Sequence, residues 1–132
     1  MALIDANIFL EVALKQNRSE ACKAYLRRVK DGDVSAITTS FIVDAVSILM
    51  DHAGCKPVQI RKFHLALLKY KGLTVYDLTL MDRVTATAQM EQFGLDFDDG
   101  TACAAIIATN TKEILSFDTH FDRVAGITRI EP

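Results

Sequence analysis

Short runs of aliphatic and β-branched residues alternate along the chain with longer runs in which apolar residues recur every three to four positions. The short runs predict strands, because β-branched side chains suit a pleated, half-buried surface. The predicted strands are Ala2–Ile4, Val34–Thr38, Leu73–Tyr76, Glu113–Phe117 and Thr128–Ile130. Strands that alternate with helices are typical of a parallel sheet covered on both faces. We therefore expect an α/β protein, a three-layer α/β/α sandwich with a central, mostly parallel sheet.

The longer runs have the helical period, and capping residues mark their ends. Ser40 is expected to cap a helix that is apolar nearly all round, so this helix should be buried. Pro57 suits the first turn of a helix, and Gly94 ends another, because glycine tolerates the left-handed conformation that closes many helices. The predicted helices are Glu20–Lys30, the one that follows Ser40, Pro57 to about Lys69, the one from a Thr79 cap to Phe93, and Asp99–Asn110 with Asp98 as its cap.

Composition and charge narrow the class. The chain has 132 residues, of which 50% are hydrophobic and 24% charged, with 6 Gly and 2 Pro. This length suits one domain, 1–132, and the composition excludes disordered, collagen-like and disulfide-scaffold classes. The 15 Lys and Arg against 17 Asp and Glu give a formal charge of −2. No global field attracts nucleic acid or an anionic membrane, so any such partner must be held locally.

Cysteine usage and the N-terminal segment bear on the compartment. The 3 cysteines include no CxxC pair, which favours a reduced, cytoplasmic environment. The segment MALIDANIFLEVALK has no basic region and carries acids within its apolar stretch, so we do not expect a signal peptide. Apolar runs such as Ala102–Ala108 fall far short of the roughly 18 residues that a membrane-spanning helix needs. We expect a soluble, cytoplasmic protein that does not enter a membrane.

Four aspartates interrupt or directly follow apolar runs, where a lone charge is costly unless it is paired or binds a metal. Asp5 and Asp118 each follow a predicted strand, and the carboxyl ends of parallel strands form the ligand crevice of open α/β sheets. Asp44 lies in the first turns of the predicted buried helix, and Asp99 begins another helix. Both helix starts can face the same crevice, so we expect the four carboxylates to converge.

A cluster of carboxylates predicts a divalent cation, because the cation relieves their mutual repulsion. Oxygen ligands favour Mg²⁺ or Mn²⁺. Such an ion activates water and stabilises a phosphate under in-line attack, so the pattern favours phosphodiester hydrolysis. A simpler interpretation stays open at this point, in which Asp5 caps a helix that starts at Ile8 and Asp98 or Asp99 caps another.

Two N-terminal motifs around these acids carry a family resemblance. LIDANIFLE has a strand that ends in an acid, Asp5, with Asn7 two residues on. TTSFIVDAVSIL has a helix that carries Asp44. Both resemble motifs of the PIN-domain family, Mg²⁺- or Mn²⁺-dependent nucleases that include the VapC-type toxins. The family usually carries Glu at the position of Asp44.

Two C-terminal motifs extend the resemblance over nearly the whole chain. GLDFDDGTACAAIIA is similar to the third motif, a loop that ends in an acid before a small-residue helix. Asp99 fits that acid best, ahead of Asp98 and then Asp96. EILSFDTHFDRVAGITRI resembles the last motif, in which an acid, an aromatic residue and a closing strand follow in order. The residues that match it are Ser116, Asp118, Phe121 and Asp122.

The resemblance implies a divalent-metal-dependent endoribonuclease that hydrolyses RNA phosphodiester bonds. The metal ligands and catalytic residues that it implies are Asp5, Asp44, Asp99 and Asp118, supported by Asn7, Asp98, Ser116 and Asp122. Such enzymes are commonly homodimers. A VapC-type member is the toxin of a toxin–antitoxin pair, and the antitoxin protein blocks its site. The expected partners are therefore an RNA substrate, a second copy of the chain and an antitoxin.

A hypothesis from another functional class stays open. The chain could be a catalytically inactive PIN-like module that binds RNA or a protein partner while its acids serve as helix caps. Phosphate contacts would then come from basic side chains. The candidates are Arg27, Arg28, Lys30, Arg61, Lys62, Lys69 and Lys71. Metal-dependent cleavage of RNA separates the enzyme from this module.

Four further classes are disfavoured. The segment DDGT at 98–101 echoes the haloacid-dehalogenase-like phosphatases, but Phe97 stands where their nucleophile should be. A receiver domain needs a phosphoacceptor Asp at the end of a central strand and a Lys late in the chain, but Asp44 is predicted to be helical and no suitable Lys is evident. The spacing of His52, Cys55 and His64 matches no common zinc site. No G-x-S-x-G motif supports a serine hydrolase.

Overall fold

Five short strands pair into one sheet in the computed structural model of the protein, which describes residues 1–132. The strands are β1 (Ala2–Ile4), β2 (Ala36–Thr39), β3 (Leu73–Tyr76), β4 (Glu113–Leu115) and β5 (Thr128–Ile130). The helices are α1 (Ala6–Ala13), α2 (Ser19–Asp31), α3 (Ser40–His52), α4 (Pro57–Leu68), α5 (Leu80–Phe93) and α6 (Phe97–Thr109), with a 3₁₀ turn over Thr119–Arg123. The predicted α/β/α architecture is confirmed.

The sheet is fully parallel, with strand order β3-β2-β1-β4-β5. β1 is central and buried, and Leu3 pairs with Ile37 on one side and with Ile114 on the other. The chain adds β2 and β3 to one side of β1, then crosses to add β4 and β5 on the other. The order therefore reverses between β1 and β4, and such a switch point opens a crevice at the carboxyl ends of the strands.

Helix α6 is held rigidly by close packing against α5. Its residues from Asp99 to Ile106 are all buried, and most are small. A Cβ atom on Gly100 would lie 2.8 Å from the carbonyl oxygen of Ala86 in α5. Only glycine permits this approach of the two helices. The packing fixes the first turn of α6, and with it the side chain of Asp99.

Two helix caps lie one or two residues before their predicted positions. Thr39 rather than Ser40 caps α3, since its hydroxyl oxygen accepts from the amide of Ile42 at 3.0 Å. Asp96 rather than Asp98 caps α6, and its carboxylate accepts from the amide of Asp99 at 3.0 Å. The reason is the same in both cases: the chain enters the helix earlier, so the capping residue sits earlier too.

The prediction that α3 is buried all round is wrong. Its inner face, with Val46, is buried, but Ile48 is 55% exposed and Leu49 is 46% exposed. Nearly continuous apolar sequence therefore covers both a core face and a surface face of this helix. Large apolar side chains on a surface are typical of a place where another molecule binds.

The three cysteines are free thiols, as their spacing predicts. Cys22 and Cys103 are buried, and burial is the main reason why the pKa of the Cys103 thiol rises to about 12. This thiol is therefore unreactive at neutral pH. None of the helices combines the length and the apolar character that crossing a membrane requires.

Candidate metal centre

A cleft of about 210 Å³ opens at the carboxyl ends of β1 and β4. β1 leads directly to Asp5, and β4 is followed by Ser116 and Asp118. The start of α6 supplies further acids from the opposite wall. The carboxylates that line the cleft are Asp5, Asp96, Asp98, Asp99 and Asp118. Its apolar wall includes Leu10, Phe41 and Ile42.

Asp5 is oriented by a hydrogen-bonded cluster at the floor of this cleft. The buried Ser116 hydroxyl donates to Asp5 Oδ2 at 2.6 Å, and Asn7 Nδ2 lies 3.3 Å from the same oxygen and 3.2 Å from Ser116 Oγ. Asp5 Oδ1 accepts from the amide of Ala6 at 2.8 Å and so caps α1. Capping and lining the cleft are therefore compatible roles of one carboxylate. Burial raises the pKa of Asp5, although the Ser116 hydrogen bond opposes the rise.

Asp99 has a buried carboxylate oxygen that no other group of the protein satisfies. Its residue surface is only 6% exposed, and its Oδ2 is buried without a hydrogen-bond partner. Burial first, and then the negative charges of Asp118, Asp96 and Asp5, raise the pKa of Asp99 to about 8. A buried carboxylate oxygen without a partner is costly, and a bound cation would remove that cost. The donor set therefore fits a divalent metal ion.

Asp118 joins the cluster from the segment that follows β4. Its amide donates to Ser116 Oγ at 3.0 Å, so the same hydroxyl contacts both Asp5 and Asp118. Its Oδ1 accepts from the amide of His120 at 2.9 Å and caps the 3₁₀ turn. Ser116 thus ties together two acids that lie 113 positions apart in the sequence (118−5).

Asp98 and Asp96 lie at the mouth of the cleft. Both side chains are exposed and line it from the first turn of α6 and from its cap. Burial, and then the neighbouring charge of Asp96, raise the pKa of Asp98. Both acids add negative charge to the cleft and therefore favour a cation there. Asp96 is the last-ranked of the three acids in this motif by sequence, because the pattern does not reveal that the helix begins at Phe97.

Asp44 does not join the cleft, which corrects the expectation that four aspartates converge. It is exposed and lines a separate groove with Val43 and His64. Successive residues of a helix point about 100° apart. Because Phe41 and Ala45 of α3 line the acidic cleft, Asp44 points to its side. The structure therefore brings together three of the four predicted acids.

We expect Asp44→Asn to leave metal binding almost unchanged. A surface substitution away from such a site usually changes the free energy of unfolding by no more than about 0.5 kcal/mol. A change of that size in the free energy of metal binding is about twofold in affinity. The check is the Mn²⁺-induced rise in thermal midpoint, compared between Asp44→Asn, Asp99→Asn and the wild-type protein. Loss of the rise in Asp44→Asn would mean that α3 rotates to bring this carboxylate to the ion.

Asp122, a predicted supporting residue, lies outside the cleft. Its carboxylate accepts from Nε of Arg129 at 2.9 Å, and Arg129 Nη1 donates to the carbonyl oxygen of Ser116 at 3.1 Å. Asp122 thus acts on the centre only through Arg129, which fixes the backbone at Ser116. This ion pair lies at β5, the edge strand that carries Arg129.

His120 also belongs to the centre, although it is not among the residues predicted from the sequence. Its Nδ1 lies 3.0 Å from Asp118 Oδ1 and 3.6 Å from Asp99 Oδ2. The three side chains can each offer a ligand atom, and these atoms all lie within 4.8 Å of one another. The sequence does show a histidine two residues after Asp118. A tight turn at that point brings the histidine ring back to the carboxylate of Asp118.

Three solved structures with a similar fold are a toxin and two toxin–antitoxin assemblies. The Mycobacterium tuberculosis toxin VapC20, described as cleaving the sarcin-ricin loop, is 15% identical, with a TM-score of 0.80 and full coverage of both chains (100% and 100%). A toxin–antitoxin complex from Klebsiella pneumoniae is 16% identical, with a TM-score of 0.72, over 97% of this chain and 96% of the other. VapBC2 from Rickettsia felis, bound to a DNA fragment from its promoter, is 15% identical, with a TM-score of 0.73, over 98% and 97%.

Sequence comparison gives the family. No protein with a curated description matches the chain. The sequence model of the family described as the PIN domain matches residues 2–127, which include every acid of the cleft. The resemblance seen in the four motifs is thereby confirmed. The chain belongs to the PIN-domain family.

Proposed function

We propose that the protein is a divalent-metal-dependent endoribonuclease that hydrolyses RNA phosphodiester bonds at the acidic cleft. The observation that carries the proposal is the buried, unpartnered Oδ2 of Asp99, which faces a cluster that includes Asp5 and Asp118. Membership of the PIN-domain family supports the same activity. The fold shared with VapC20 and with two toxin–antitoxin complexes supports a role as a VapC-type toxin.

Asp5, Asp99 and Asp118 would hold Mg²⁺ or Mn²⁺ in this proposal. The bound ion supplies an activated water and stabilises the negative charge that develops on the phosphate. Ser116 keeps Asp5 Oδ2 in a fixed orientation through its 2.6 Å hydrogen bond. The close packing of α6 holds Asp99 in place, so its ligand oxygen needs little reorganisation when substrate binds.

The charge of the cleft explains why RNA should bind only with the metal. Five carboxylates line it, and RNA phosphates carry negative charge. Without a cation the two repel each other, whereas a cation attracts both.

The partly buried ring of Phe41, which packs edge-on against Phe97 with 5.9 Å between ring centroids, gives the cleft an apolar wall for the substrate.

The proposed activity is tested by incubating the purified protein with RNA that contains stem-loops and with total RNA. Mn²⁺ or Mg²⁺ should produce discrete fragments, and EDTA should abolish them. Asp5→Asn should lose more than about 100-fold in rate, because losing even an indirect support of a metal ligand costs 10- to 100-fold. Asp51→Asn, which removes an exposed acid at the end of α3, is the control and should cleave normally.

The opposite result points to the alternative function. Salt-dependent RNA binding with no cleavage under any metal would mean that the chain is an inactive PIN-like module that binds RNA or a protein partner. Cleavage that survives both EDTA and Asp5→Asn would indicate a contaminating nuclease.

We also propose an antitoxin as protein partner. Two of the similar structures are toxin–antitoxin assemblies. An apolar groove of about 410 Å³ between α1, α2, α3 and α4 offers a surface for such a partner. Its lining includes Phe9, Met50, Phe63 and Tyr70. A short reading frame for an antitoxin next to the gene would support this partner.

A homodimer is the further assembly that we propose, and exposed residues at the start of α5 support it. Leu80 is 82% exposed, Met81 68% and Val84 58%.

We expect Met81→Lys to shift a dimer towards monomer, because a charge in an apolar contact must be desolvated. Light scattering after size exclusion measures the mass. Ile107→Lys, at a 56% exposed site on α6, should leave the mass unchanged. An unchanged dimer in Met81→Lys would exclude this surface.

A further inference from the structure

The imidazole of His120 is positioned by the 3₁₀ turn that follows Asp118. Asp118 Oδ1 accepts from the His120 amide at 2.9 Å and lies 3.0 Å from the ring Nδ1. The turn therefore returns the ring to the acid that caps it. Since the His120 side chain is 52% exposed, water can reach the other ring nitrogen, as is usual for a histidine that binds a metal.

The separations between donor atoms suit ligands of one ion. Two ligands at right angles on an ion about 2.1 Å away are about 3 Å apart. His120 Nδ1 is 3.0 Å from Asp118 Oδ1 and 3.6 Å from Asp99 Oδ2. All three ligand atoms face one another within 4.8 Å. A single ion can therefore contact all three with small movements of the side chains.

Hydrogen bonding within the protein does not account for the whole arrangement. An N–H at Nδ1 would satisfy Asp118, but the 3.6 Å distance to Asp99 Oδ2 is too long for a hydrogen bond. Asp99 Oδ2 consequently stays without a partner although it is buried. An ion between the two acids and the ring would satisfy Asp99 Oδ2 and use Nδ1 at the same time.

We infer that His120 is a ligand of the metal ion through Nδ1, and that this nitrogen makes the centre prefer Mn²⁺ to Mg²⁺. The inference rests on the proposed metal-dependent function and refines the choice of its ion. Mg²⁺ takes oxygen ligands almost exclusively, whereas Mn²⁺, although it also suits carboxylates, is a first-row transition ion that binds nitrogen donors as well. A cleft with carboxylates alone has no such preference built into its donors.

The test uses His120→Asn and two measurements that do not depend on activity. Asn can offer an amide oxygen near the position of Nδ1, so the substitution exchanges nitrogen for oxygen without emptying the site. Titration calorimetry should show Mn²⁺ affinity falling at least about 10-fold, with Mg²⁺ affinity changed by less than about threefold. Pulsed electron paramagnetic resonance of bound Mn²⁺ should show a ¹⁴N coupling in the wild-type protein that disappears in His120→Asn.

His52→Asn is the matched control, since His52 lies at the end of α3 and does not line the cleft. It should keep both the affinity ratio and the ¹⁴N coupling. Bound Mn²⁺ with no ¹⁴N coupling in the wild-type protein would overturn the inference and leave His120 as a hydrogen-bond donor to Asp118. Failure of the wild-type protein to bind either ion would contradict the proposed metal-dependent function itself, and the inference with it.

Discussion

Asp99→Asn is expected to raise the thermal midpoint of the metal-free protein at pH 8, and to abolish the further rise that Mn²⁺ gives the wild-type protein. The pKa of Asp99 rises to about 8 in the fold, from an ordinary value of 3.8, mainly through burial. The unfolded chain therefore loses this proton near pH 4 while the folded protein keeps it. Stability falls as the pH rises between these two values, and above pH 8 the full cost remains.

The substitution removes this cost because an amide does not ionise, and its N–H group can donate to Asp118. We expect the gain at pH 8 to be on the order of 2 kcal/mol, or roughly 6–10 °C in midpoint. Little of this gain is expected at about pH 4, where the folded protein holds the proton and the unfolded chain is only about half ionised. With Mn²⁺ at 100 times its dissociation constant, wild-type protein should gain about 2.7 kcal/mol, which Asp99→Asn should not.

Thermal melts at both pH values, with EDTA and with Mn²⁺, measure these effects. Asp51→Asn is the control for removal of one negative charge, because Asp51 is exposed and lies outside the cleft. A lower midpoint for Asp99→Asn than for wild type at pH 8 in EDTA would contradict the electrostatic account. Persistence of the Mn²⁺ shift in Asp99→Asn would show that the ion binds elsewhere.

Ser116→Ala is expected to weaken both the fold and the metal centre. The Ser116 residue has no exposed surface, and its hydroxyl donates to Asp5 Oδ2 at 2.6 Å and accepts from the amide of Asp118 at 3.0 Å. Its removal deprives three polar groups of this partner at a buried position, namely Asp5 Oδ2, the amide of Asp118 and Asn7 Nδ2. The expected cost is about 2–3 kcal/mol in the free energy of unfolding, with a 10- to 100-fold loss in Mn²⁺ affinity.

Urea unfolding in EDTA measures the first effect, and titration calorimetry with Mn²⁺ measures the second. Ser35→Ala is the matched control, because Ser35 is exposed just before β2. It should change neither quantity. Wild-type Mn²⁺ affinity in Ser116→Ala would refute the claim that this hydroxyl positions the ligands, even if the protein is destabilised.

The sequence predicts most of the fold because its local signals agree with the tertiary structure. The bounds of β3 and β5 match the predictions, as do the cap at Thr79 and the end of α5 at Gly94. β-branched runs, a capping box and a glycine in the left-handed conformation act within a few residues, so a pattern reveals them. Asp5 and Asp118 follow from the same logic, since a residue after a parallel strand must lie at the sheet's carboxyl edge.

Features that depend on rotation about a helix or on a tight turn are not visible in the sequence. Asp44 misses the cleft because the rotational setting of α3 is decided by how Val46 packs into the core. Asp96 gains its role because α6 begins two residues earlier than the pattern suggests. His120 reaches the acids only because a 3₁₀ turn folds back after Asp118. A rotation of about 100° around a helix axis, or one additional turn of the chain, determines whether each of these side chains reaches the cleft.

We propose above all that the cleft between Asp5, Asp99 and Asp118 is a divalent metal centre. Anomalous diffraction from crystals soaked in Mn²⁺ tests it most directly, because the change in signal across the manganese absorption edge distinguishes manganese from sulfur. The account predicts its strongest peak in this cleft, about 2.2 Å from a carboxylate oxygen of Asp99. A crystal with no peak there, or with its strongest peak beside Asp44, would contradict the account.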